Sequence, residues 1–309
     1  MNIVFMGTPE FAVPSLEAII KDNQNVSCVV TQPDRPRGRG KKVSGSPVKE
    51  KAVEYGIPVE QPAKIRKDNE FIEKLRNLKP DVIVVAAFGQ ILPSEVLSIP
   101  RLGCINVHAS LLPSLRGAAP INWAIINGYD TAGITTMFMD EGLDTGDMLL
   151  KEATPIGEDE TAGELYDRLK LLGGKLIIKT LHMLEDNTLK RVPQDNSLST
   201  YAPMLNKDTG KIIWDKTSRE IKNLVRGTNP WPGAYTYLNG TKLKVWNVQT
   251  EDCVSEKPGL IWEIDKSGIH VYAGDNGIII KEVQLEAGKR VNAYSYTLGH
   301  PVKVGSVFE

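Results

Sequence analysis

The amino-acid sequence predicts an α/β fold: a doubly wound, mostly parallel sheet of Rossmann-like type, followed by a small OB-like β-barrel. In the first half, short apolar runs alternate with amphipathic stretches, a rhythm typical of parallel strands joined by helical crossovers. In the last third, short β-rich runs follow one another with glycine-containing turns between them, which favours an antiparallel barrel. A polar stretch without either period separates the two parts.

The first part of the chain is predicted to hold the larger sheet. Strands are predicted at residues 3–6, 26–31, 81–87, 103–108 and 135–139. Helices are predicted at residues 11–21, 48–55, 69–78 and 121–127. A long helix at residues 162–185 has leucines near a 3.6-residue period and is predicted to close this domain. In such sheets, ligands bind beyond the carboxyl ends of the strands.

The second part is predicted to be all-β after one helix at residues 218–226. Its strands are predicted at residues 235–238, 243–248, 259–264, 269–272 and 278–283. Their number fits a closed barrel, although the spacing alone leaves a sandwich open. The predicted domains are therefore residues 1–189 and 209–309, joined by a linker at 190–208.

Composition excludes several classes of protein. With 37 basic and 38 acidic residues the net charge is −1, so any nucleic-acid contact must come from a local patch. Cys28, Cys104 and Cys253 lie far apart in or beside apolar runs, and no cysteine or histidine cluster suggests a metal. The amino terminus lacks a signal-peptide pattern, and no apolar run is long enough to span a membrane. We therefore expect a cytoplasmic protein without a membrane segment.

Two polar residues end a buried strand in the sequence GCINVHASLLP. Asn106 and His108 are two residues apart, so on an extended strand both side chains leave the same face. An amide and an imidazole directed at one point suit acyl transfer, because its tetrahedral intermediate develops an oxyanion that fixed donors stabilise. The alternative for an isolated pair of this kind is a polar cap of the strand end.

A second candidate segment, MDEGLDTGD, follows another predicted strand. Asp144 lies between Gly142 and Gly146, whose backbone freedom lets a loop approach a ligand closely. A carboxylate beside His108 could orient the imidazole and relay the proton that an attacking amine loses. The sequence leaves open a simple turn-forming role for Asp144. It also leaves three rival carboxylates: Asp140, Glu141 and Asp147.

Two nucleotide-binding motifs are missing. Gly7 is followed by Thr8 and Pro9 instead of a G-x-G-x-x-G pattern, which argues against a dehydrogenase. No G-x-x-x-x-G-K-[ST] motif occurs, so nucleotide hydrolysis is not indicated.

Several segments together resemble the folate-dependent formyltransferase family. They are FMGTPEFAVPSLEAI, TQPDRPRGRGKK, FGQILP, CINVHASLLPSLRGAAPINWAI, GLDTGD and NPWPGAY, and the similarity extends over essentially all 309 residues. The resemblance implies a catalytic trio of Asn106, His108 and Asp144, and the chain departs from the family at none of these positions. It also implies 10-formyltetrahydrofolate, a reduced folate, as cosubstrate, with no tightly bound cofactor and no metal.

The resemblance places the folate beside two loops. The residues concerned are Phe88, Gly89, Gln90, Ile91 and Leu92 in the first loop, and Ser110, Leu111, Leu112 and Pro113 in the second. The first loop offers an aromatic face, free backbone and one amide, which suits a flat heteroaromatic ring. The alternative is an ordinary strand-to-helix connection whose apolar residues join the core.

A basic loop follows the second predicted strand. Residues 34–49 carry six lysines or arginines against one aspartate, and their glycines and prolines predict an irregular, solvated loop. Such a loop can neutralise the phosphates of an RNA end, or it can be a surface loop without a partner. By resemblance it contacts the acceptor end of a tRNA, and the candidate contacts are Arg35, Arg37, Arg39, Lys41 and Lys42.

The resemblance is strongest to the branch of the family that formylates methionyl initiator tRNA for translation initiation. It implies a tRNA-binding role for the barrel, where residues 210–309 have only two more basic than acidic residues. Trp214, Trp231, Trp246 and Trp262 are predicted to be core or interface residues rather than base-stacking platforms. We expect a monomer.

The sequence leaves other functions open. One is a formyltransferase for an amino sugar nucleotide or a purine precursor, and another is a folate- or RNA-binding module without catalysis. Transamidation or folate hydrolysis is a weaker possibility.

Overall fold

The structure of the protein is a computed structural model that describes residues 1–37 and 42–309. The strands are β1 (Asn2–Gly7), β2 (Asn25–Val30), β3 (Arg35–Arg37), β4 (Lys42–Ser44), β5 (Val59–Glu60), β6 (Val82–Ala86), β7 (Cys104–His108), β8 (Arg116–Gly117), β9 (Thr131–Phe138), β10 (Met148–Pro155), β11 (Tyr201–Ala202), β12 (Ala234–Leu238), β13 (Thr241–Glu251), β14 (Ile261–Asp265), β15 (Gly268–Tyr272), β16 (Gly277–Leu285) and β17 (Val291–Asn292). The α-helices are α1 (Val13–Lys21), α2 (Pro47–Glu54), α3 (Asn69–Leu78), α4 (Ser94–Leu97), α5 (Pro120–Ile126), α6 (Ala162–Glu185), α7 (Ser218–Gly227) and α8 (Ala293–Gly299). Short 3-10 helices lie at Glu10–Ala12, Ile65–Lys67, Asn196–Leu198 and Asp208–Gly210.

The chain forms two compact units. The first comprises Met1–Gly117, Ala132–Thr154 and Tyr166–Ala202. The second comprises Ala118–Thr131, Pro155–Leu165 and Pro203–Glu309. The second unit thus includes two segments from the first 165 residues, one of which contains α5. The sequence pattern does not separate these segments from their neighbours, and the predicted domain limits remain a prediction.

The first unit is built on a sheet of seven strands in the order β10-β9-β7-β6-β1-β2-β5. Pairing is parallel from β7 through β6, β1 and β2 to β5, whereas β9 is antiparallel to β7. The strand order reverses at β1, which lies between β2 and β6. The predicted mostly parallel, doubly wound sheet is therefore confirmed, and β5 and β10 are strands that the sequence pattern did not identify.

Burial explains why the central strands are continuous apolar runs. Every residue of β6 is buried, because both faces of a parallel sheet are covered. Two helices begin after a residue whose side chain caps the first turn. The side chain of Ser46 accepts a hydrogen bond from the N–H of Lys49 at the start of α2, and the side chain of Asp68 accepts one from the N–H of Phe71 at the start of α3. Helix α3 has the bounds that the sequence predicts: it begins after the Asp68 cap, and Lys79, with a φ of +46°, follows its last residue.

The second unit contains an antiparallel sheet in the order β12-β13-β16-β15-β14, with β17 paired to β16. The last residues of the chain join its two edges, since Phe308 bridges Leu238 at the end of β12 and Val307 bridges Leu260 before β14. This closure gives the barrel that the sequence predicts. An apolar cluster fills the interior and includes Trp214, which is 4% exposed.

Helix α7 covers the barrel core and carries an unusual number of buried polar residues. Its amino end has a capping box between Thr217 and Glu220. The buried Lys222 forms ion pairs with Glu158 and Asp159. These contacts explain why the segment Pro155–Leu165 belongs to the second unit. No helix among the residues that the structure describes is long and apolar enough to cross a membrane.

The basic loop is more regular than the sequence suggests. Strands β3 and β4 pair antiparallel, with Arg35 opposite Ser44 and Arg37 opposite Lys42. The expectation of a loop without regular structure is therefore wrong for its two arms. Backbone hydrogen bonds between the arms are available despite Pro36, because proline is tolerated on a short edge strand.

Candidate active site

Asn106 and His108 lie together at the carboxyl end of β7. Asn106 is level with Val85 on the neighbouring parallel strand, and His108 is the last residue of β7. Two residues spaced two apart on a strand leave the same face, as the sequence predicted. The side chain of His108 is only 6% exposed, so the ring is shielded from bulk water.

The two ring nitrogens of His108 face different oxygens. Nε2 lies 3.0 Å from the carbonyl oxygen of Leu115. A carbonyl oxygen can only accept, so Nε2 carries a proton and donates it to this bond. Nδ1 lies 3.5 Å from Oδ1 of Asp144. A proton on Nδ1 would therefore give the site a second donor held beside a carboxylate.

Asp144 joins the pair from the loop between β9 and β10. Its Oδ1 accepts a hydrogen bond of 3.4 Å from Nδ2 of Asn106, and its Oδ2 accepts one of 2.8 Å from the N–H of Gly117. The backbone of Asp144 has a φ of +54°, a region in which aspartate is enriched among non-glycine residues. The structure thus brings the three predicted side chains together, while their catalytic roles remain predictions.

The rival carboxylates do not share this position. Asp140 accepts hydrogen bonds from the hydroxyl of Thr145 at 2.7 Å and from the N–H of Gly142 at 3.0 Å, which makes it the turn-forming residue of the loop. Glu141 and Asp147 form no hydrogen bond or ion pair with Asn106 or His108 in the described parts of the chain. Of the four carboxylates in this loop, Asp144 is the one that contacts both Asn106 and His108 in the described parts of the chain.

The segment that was predicted to be a linker supports the Asp144 loop. Nε2 of Gln194 donates to the carbonyl oxygens of Asp144 and Gly146, both at 2.8 Å. Oε1 of the same side chain accepts from Nε and Nη2 of Arg116, at 3.0 and 2.8 Å. Sequence reasoning missed Gln194 and Arg116, because residues 186–208 show no period and a lone glutamine carries no chemical signature.

The same segment holds the backbone that bonds to His108. The N–H of Leu115 donates to the hydroxyl of Thr200 at 2.8 Å, and the carbonyl oxygen of Leu115 is the partner of His108. Leu115 has a φ of +60°, an unfavourable conformation for a bulky residue. Strands β8 and β11 pair in parallel beside it and bring Thr200 into reach.

The nine residues predicted beside the folate differ in how buried they are and in whether their polar groups are already hydrogen-bonded. Phe88 and Leu92 are each 2% exposed and pack in the core, although Phe88 also lines a cavity. Leu112 is fully buried with two methionines, and Ser110 donates its hydroxyl to the carbonyl oxygen of Ser114 at 2.6 Å. Leu111 and Pro113 are partly buried members of the same turn.

The remaining residues of the first folate loop are more accessible. Ile91 is 55% exposed. Gln90 uses its amide within the fold, accepting from the N–H of Ile65 and donating to the carbonyl oxygen of Pro62. Gly89 has a φ of +85° and lines a cavity, so the loop can contribute open backbone to a ligand.

A cavity of about 350 Å³ lies at the carboxyl ends of β1, β2 and β6. This is where the strand order reverses, the usual place for a ligand in an open α/β sheet. It opens at the same edge of the sheet that carries Asn106 on β7. Its walls mix hydroxyl, amide, carboxylate and apolar groups from Thr8, Pro9, Gln32, Pro33, Asp34, Arg35, Ser44, Ser46, Ala87, Phe88 and Gly89.

The predicted tRNA contacts are only partly described. Arg35 is exposed on β3 and lines this cavity. Arg37 and Lys42 lie on the paired strands, and Arg39 and Lys41 lie outside the described residues. Within residues 1–37 and 42–309, no group of three or more histidine, cysteine, aspartate or glutamate residues could hold a metal ion.

A doubly wound sheet whose carboxyl edge brings together an amide, an imidazole and a carboxylate has an arrangement suited to group transfer at a carbonyl carbon. Residues 1–181 match the formyl transferase family, and residues 204–301 match the formyl transferase C-terminal domain. The chain belongs to the formyl transferase family.

Similar proteins extend over the whole chain. A methionyl-tRNA formyltransferase of Acetivibrio thermocellus is 53% identical over 309 residues, covering 99% of both chains. One of Clostridioides difficile is also 53% identical, again covering 99% of both. Among solved structures, an N-formyltransferase from Helicobacter canadensis, in complex with folinic acid and dTDP-3-aminofucose, has a TM-score of 0.69 at 24% identity, with 90% of this chain and 98% of that chain covered.

A second solved structure is HypX from Aquifex aeolicus in complex with tetrahydrofolic acid, with a TM-score of 0.64 and 17% identity. The match covers 97% of this chain but only 47% of HypX, so this chain spans about half of that protein. At these identities, the two solved structures establish the shared fold.

Proposed function

We propose that this chain transfers the formyl group of 10-formyltetrahydrofolate to the α-amino group of methionyl initiator tRNA, forming N-formylmethionyl-tRNA. The observation that carries the proposal is the contact of Asn106 and His108 with Asp144 at the carboxyl ends of the strands. The full-length relatives named as methionyl-tRNA formyltransferases support the choice of acceptor.

The chemistry requires a donor for a developing oxyanion. The neutral amine attacks the formyl carbon, and the carbonyl oxygen becomes negatively charged in the tetrahedral intermediate. Nδ2 of Asn106 and a protonated Nδ1 of His108 can stabilise that oxygen, because both donors are fixed in place before the reaction. When the intermediate collapses, the bond between carbon and N10 breaks and N10 takes up a proton as tetrahydrofolate leaves.

The attacking amine must also lose a proton. Asp144 is 13% exposed and faces both donors, so its carboxylate can orient His108 and accept this proton directly or through one water. Two of its contacts hold the carboxylate in place, from the N–H of Gly117 and Nδ2 of Asn106. Since only the neutral amine attacks, transfer should speed up as the pH rises through the ionisation of the amine.

The folate is proposed to lie against the first predicted loop and the Ser110–Pro113 turn. Support comes from the exposed side chain of Ile91 and the equally exposed Leu143, which precedes Asp144 and is 51% exposed. Unburied apolar side chains of this kind suit contact with the apolar part of a pterin. Leu92 and Leu112 are buried and would support these loops, whereas Phe88 is buried but lines the cavity and is proposed to contact the folate there.

A basic surface on the barrel supports an RNA partner. We define it by Lys242, Lys244 and Arg290 with the aromatic residues beneath them, Tyr235 and Trp246. Nζ of Lys242 lies 3.5 Å from the ring centre of Tyr235, and the guanidinium of Arg290 lies 3.5 Å from that of Trp246. Burial lowers the pKa of Lys244, and the positive charges of Lys242 and Arg290 lower it further.

Crowded cations of this kind repel one another, and a polyanion relieves that repulsion by neutralising them. Tyr235 and Trp246 are 5% and 7% exposed, so the cations cover the rings and the surface suits phosphates rather than stacked bases. Trp231 differs, since it is 55% exposed, so it does not belong to the core; its alternative place at an interface stays a prediction.

Formyl transfer from 10-formyltetrahydrofolate tests the proposal directly. Methionyl initiator tRNA, elongator methionyl-tRNA and an amino sugar nucleotide are compared as acceptors at two salt concentrations. We expect transfer to the initiator tRNA alone, with a salt dependence that reflects phosphate contacts. Transfer to the sugar nucleotide alone would agree with formyl transfer by the trio but would refute initiator tRNA as the acceptor. No transfer to any of the three acceptors would refute formyl transfer itself.

A further inference from the structure

We propose that Gln194 and Thr200 position two residues of the trio, Asp144 and His108: Gln194 holds the Asp144 loop, and Thr200 holds the carbonyl group of Leu115 that orients His108. The inference rests on the proposed function of the trio. Both residues act through a neighbouring backbone, so they are positioning residues rather than catalytic ones.

The Gln194 side chain forms four hydrogen bonds with three different residues. Its amide nitrogen donates to the carbonyl oxygens of Asp144 and Gly146, and its amide oxygen accepts two bonds from Arg116. Asp144 itself has a positive φ, a conformation that the surrounding structure must maintain. The two donated bonds clamp the loop on both sides of Thr145 and so hold the carboxylate toward His108.

Thr200 acts on His108 through the backbone of Leu115. Its hydroxyl accepts the N–H of Leu115 at 2.8 Å, and its carbonyl oxygen accepts the N–H of Arg116 at 2.9 Å. These bonds hold Leu115 at a φ of +60°, with its carbonyl oxygen directed at Nε2 of His108. The bond to this carbonyl keeps a proton on Nε2 and turns Nδ1 toward Asp144.

These residues are poor candidates for a purely structural role. The segment from Arg191 to Thr200 is almost entirely exposed or half-buried, and it contributes no residue to the apolar core. Its polar contacts nevertheless converge on the two loops that carry Leu115 and Asp144. Loss of one such contact should alter the geometry of the site more than the stability of the fold.

Three variants test the donor side of Gln194. Gln194→Met keeps the shape and removes all four bonds. Gln194→Glu can still accept from Arg116 but cannot donate to the two carbonyl oxygens. Asn196→Asp adds the same charge two residues away and retains an acceptor for Arg116, which Asn196 contacts at 2.8 Å. It therefore controls for charge, because Asn196 touches neither Asp144 nor its loop.

We expect Gln194→Met and Gln194→Glu each to lower kcat for formyl transfer roughly 10- to 100-fold, with little change in KM or in the melting temperature. Asn196→Asp should retain activity. In an Asp144→Ala background, Gln194→Met should cost little more, because both changes remove the same carboxylate from the site. Full activity of Gln194→Glu would show that Gln194 only anchors Arg116 and would overturn the proposal.

A second readout does not depend on activity. The ¹⁵N resonances of the His108 ring, assigned by their loss in His108→Ala, report which nitrogen carries a proton and what it faces. We expect Gln194→Met to move the Nδ1 resonance and Thr200→Val to move the Nε2 resonance. Unchanged resonances in both variants would overturn the inference even if the wild-type chain transferred no formyl group. Absence of wild-type transfer with shifted resonances would refute the proposed function alone.

Discussion

Replacement of Asp144 by asparagine is the most direct test of the trio. Asparagine has nearly the same shape and tolerates a positive φ, so the loop conformation at +54° should persist. Its amide oxygen can still accept the N–H of Gly117. The substitution therefore removes the negative charge beside Nδ1 of His108 and leaves the fold intact.

The size of the effect follows from the distance between the Asp144 carboxylate and the doubly protonated His108 ring, which is the form that donates from Nδ1 in the proposed mechanism. Nδ1 of His108 and Oδ1 of Asp144 are 3.5 Å apart, and their side chains are 6% and 13% exposed, so salt screens the pair weakly. Coulomb's law with an effective dielectric constant of about 20 gives about 5 kcal/mol for a unit charge pair at this distance. Because the amide dipole retains part of this attraction, we expect kcat to fall on the order of 100- to 1000-fold.

The assay is formyl transfer to methionyl initiator tRNA at saturating concentrations of both substrates, with thermal unfolding as a control for the fold. A variant that melts like the wild type and loses less than about tenfold in kcat would refute a charge-dependent role for Asp144. Asp140→Asn is the matched control, because Asp140 accepts a hydrogen bond from Thr145 in the same loop and does not contact His108. It should lose far less activity.

Asn106→Ala should lower kcat on the order of 100- to 1000-fold at an unchanged melting temperature, since it removes one oxyanion donor; steady-state transfer measures this. Lys242→Gln combined with Arg290→Gln should weaken binding of initiator tRNA and reduce the slope of log affinity against log salt by about two; fluorescence anisotropy over a salt series checks it. Burial lowers the pKa of His270, but hydrogen bonds to the carboxylates of Glu251 and Asp265 more than compensate, so the folded-state pKa is raised above 6.5. This histidine should therefore stabilise the barrel fully below about pH 6.5 and progressively less as the pH rises through the folded-state pKa. Urea unfolding at about pH 6 and about pH 9 should show this difference in the wild type, and His270→Gln should abolish it.

Wherever a period was strong, the sequence predicted the elements of the fold. The apolar runs at β1, β2, β6 and β7 lie where expected, because central strands of a parallel sheet must be apolar on both faces. Helix α6 has the predicted bounds, Ala162–Glu185, since its apolar period persists throughout. The strand β5 has only two residues and could not be recognised, because so short a run has no period to read.

That Asn106 and His108 lie side by side was predictable from strand geometry rather than from a long apolar period. Asn106 and His108 are close in sequence on one strand, so strand geometry alone places them on one face. Asp144 could not be separated from Asp140, Glu141 and Asp147 by residue type, since all four are carboxylates in one short loop. Its selection depends on the position of Gly117, whose N–H binds its Oδ2 from another part of the chain.

The sequence by itself determined the long apolar strands and amphipathic helices along the chain, the residue types of the proposed trio and the presence of a local run of basic residues. These features depend on residue type and short-range spacing, which the sequence displays directly. Only the tertiary structure decided that β3 and β4 pair, that Phe88 faces the core and that Gln194 and Thr200 support the site. Such features depend on contacts between residues up to about 85 positions apart, and one-dimensional periodicity carries no information about them.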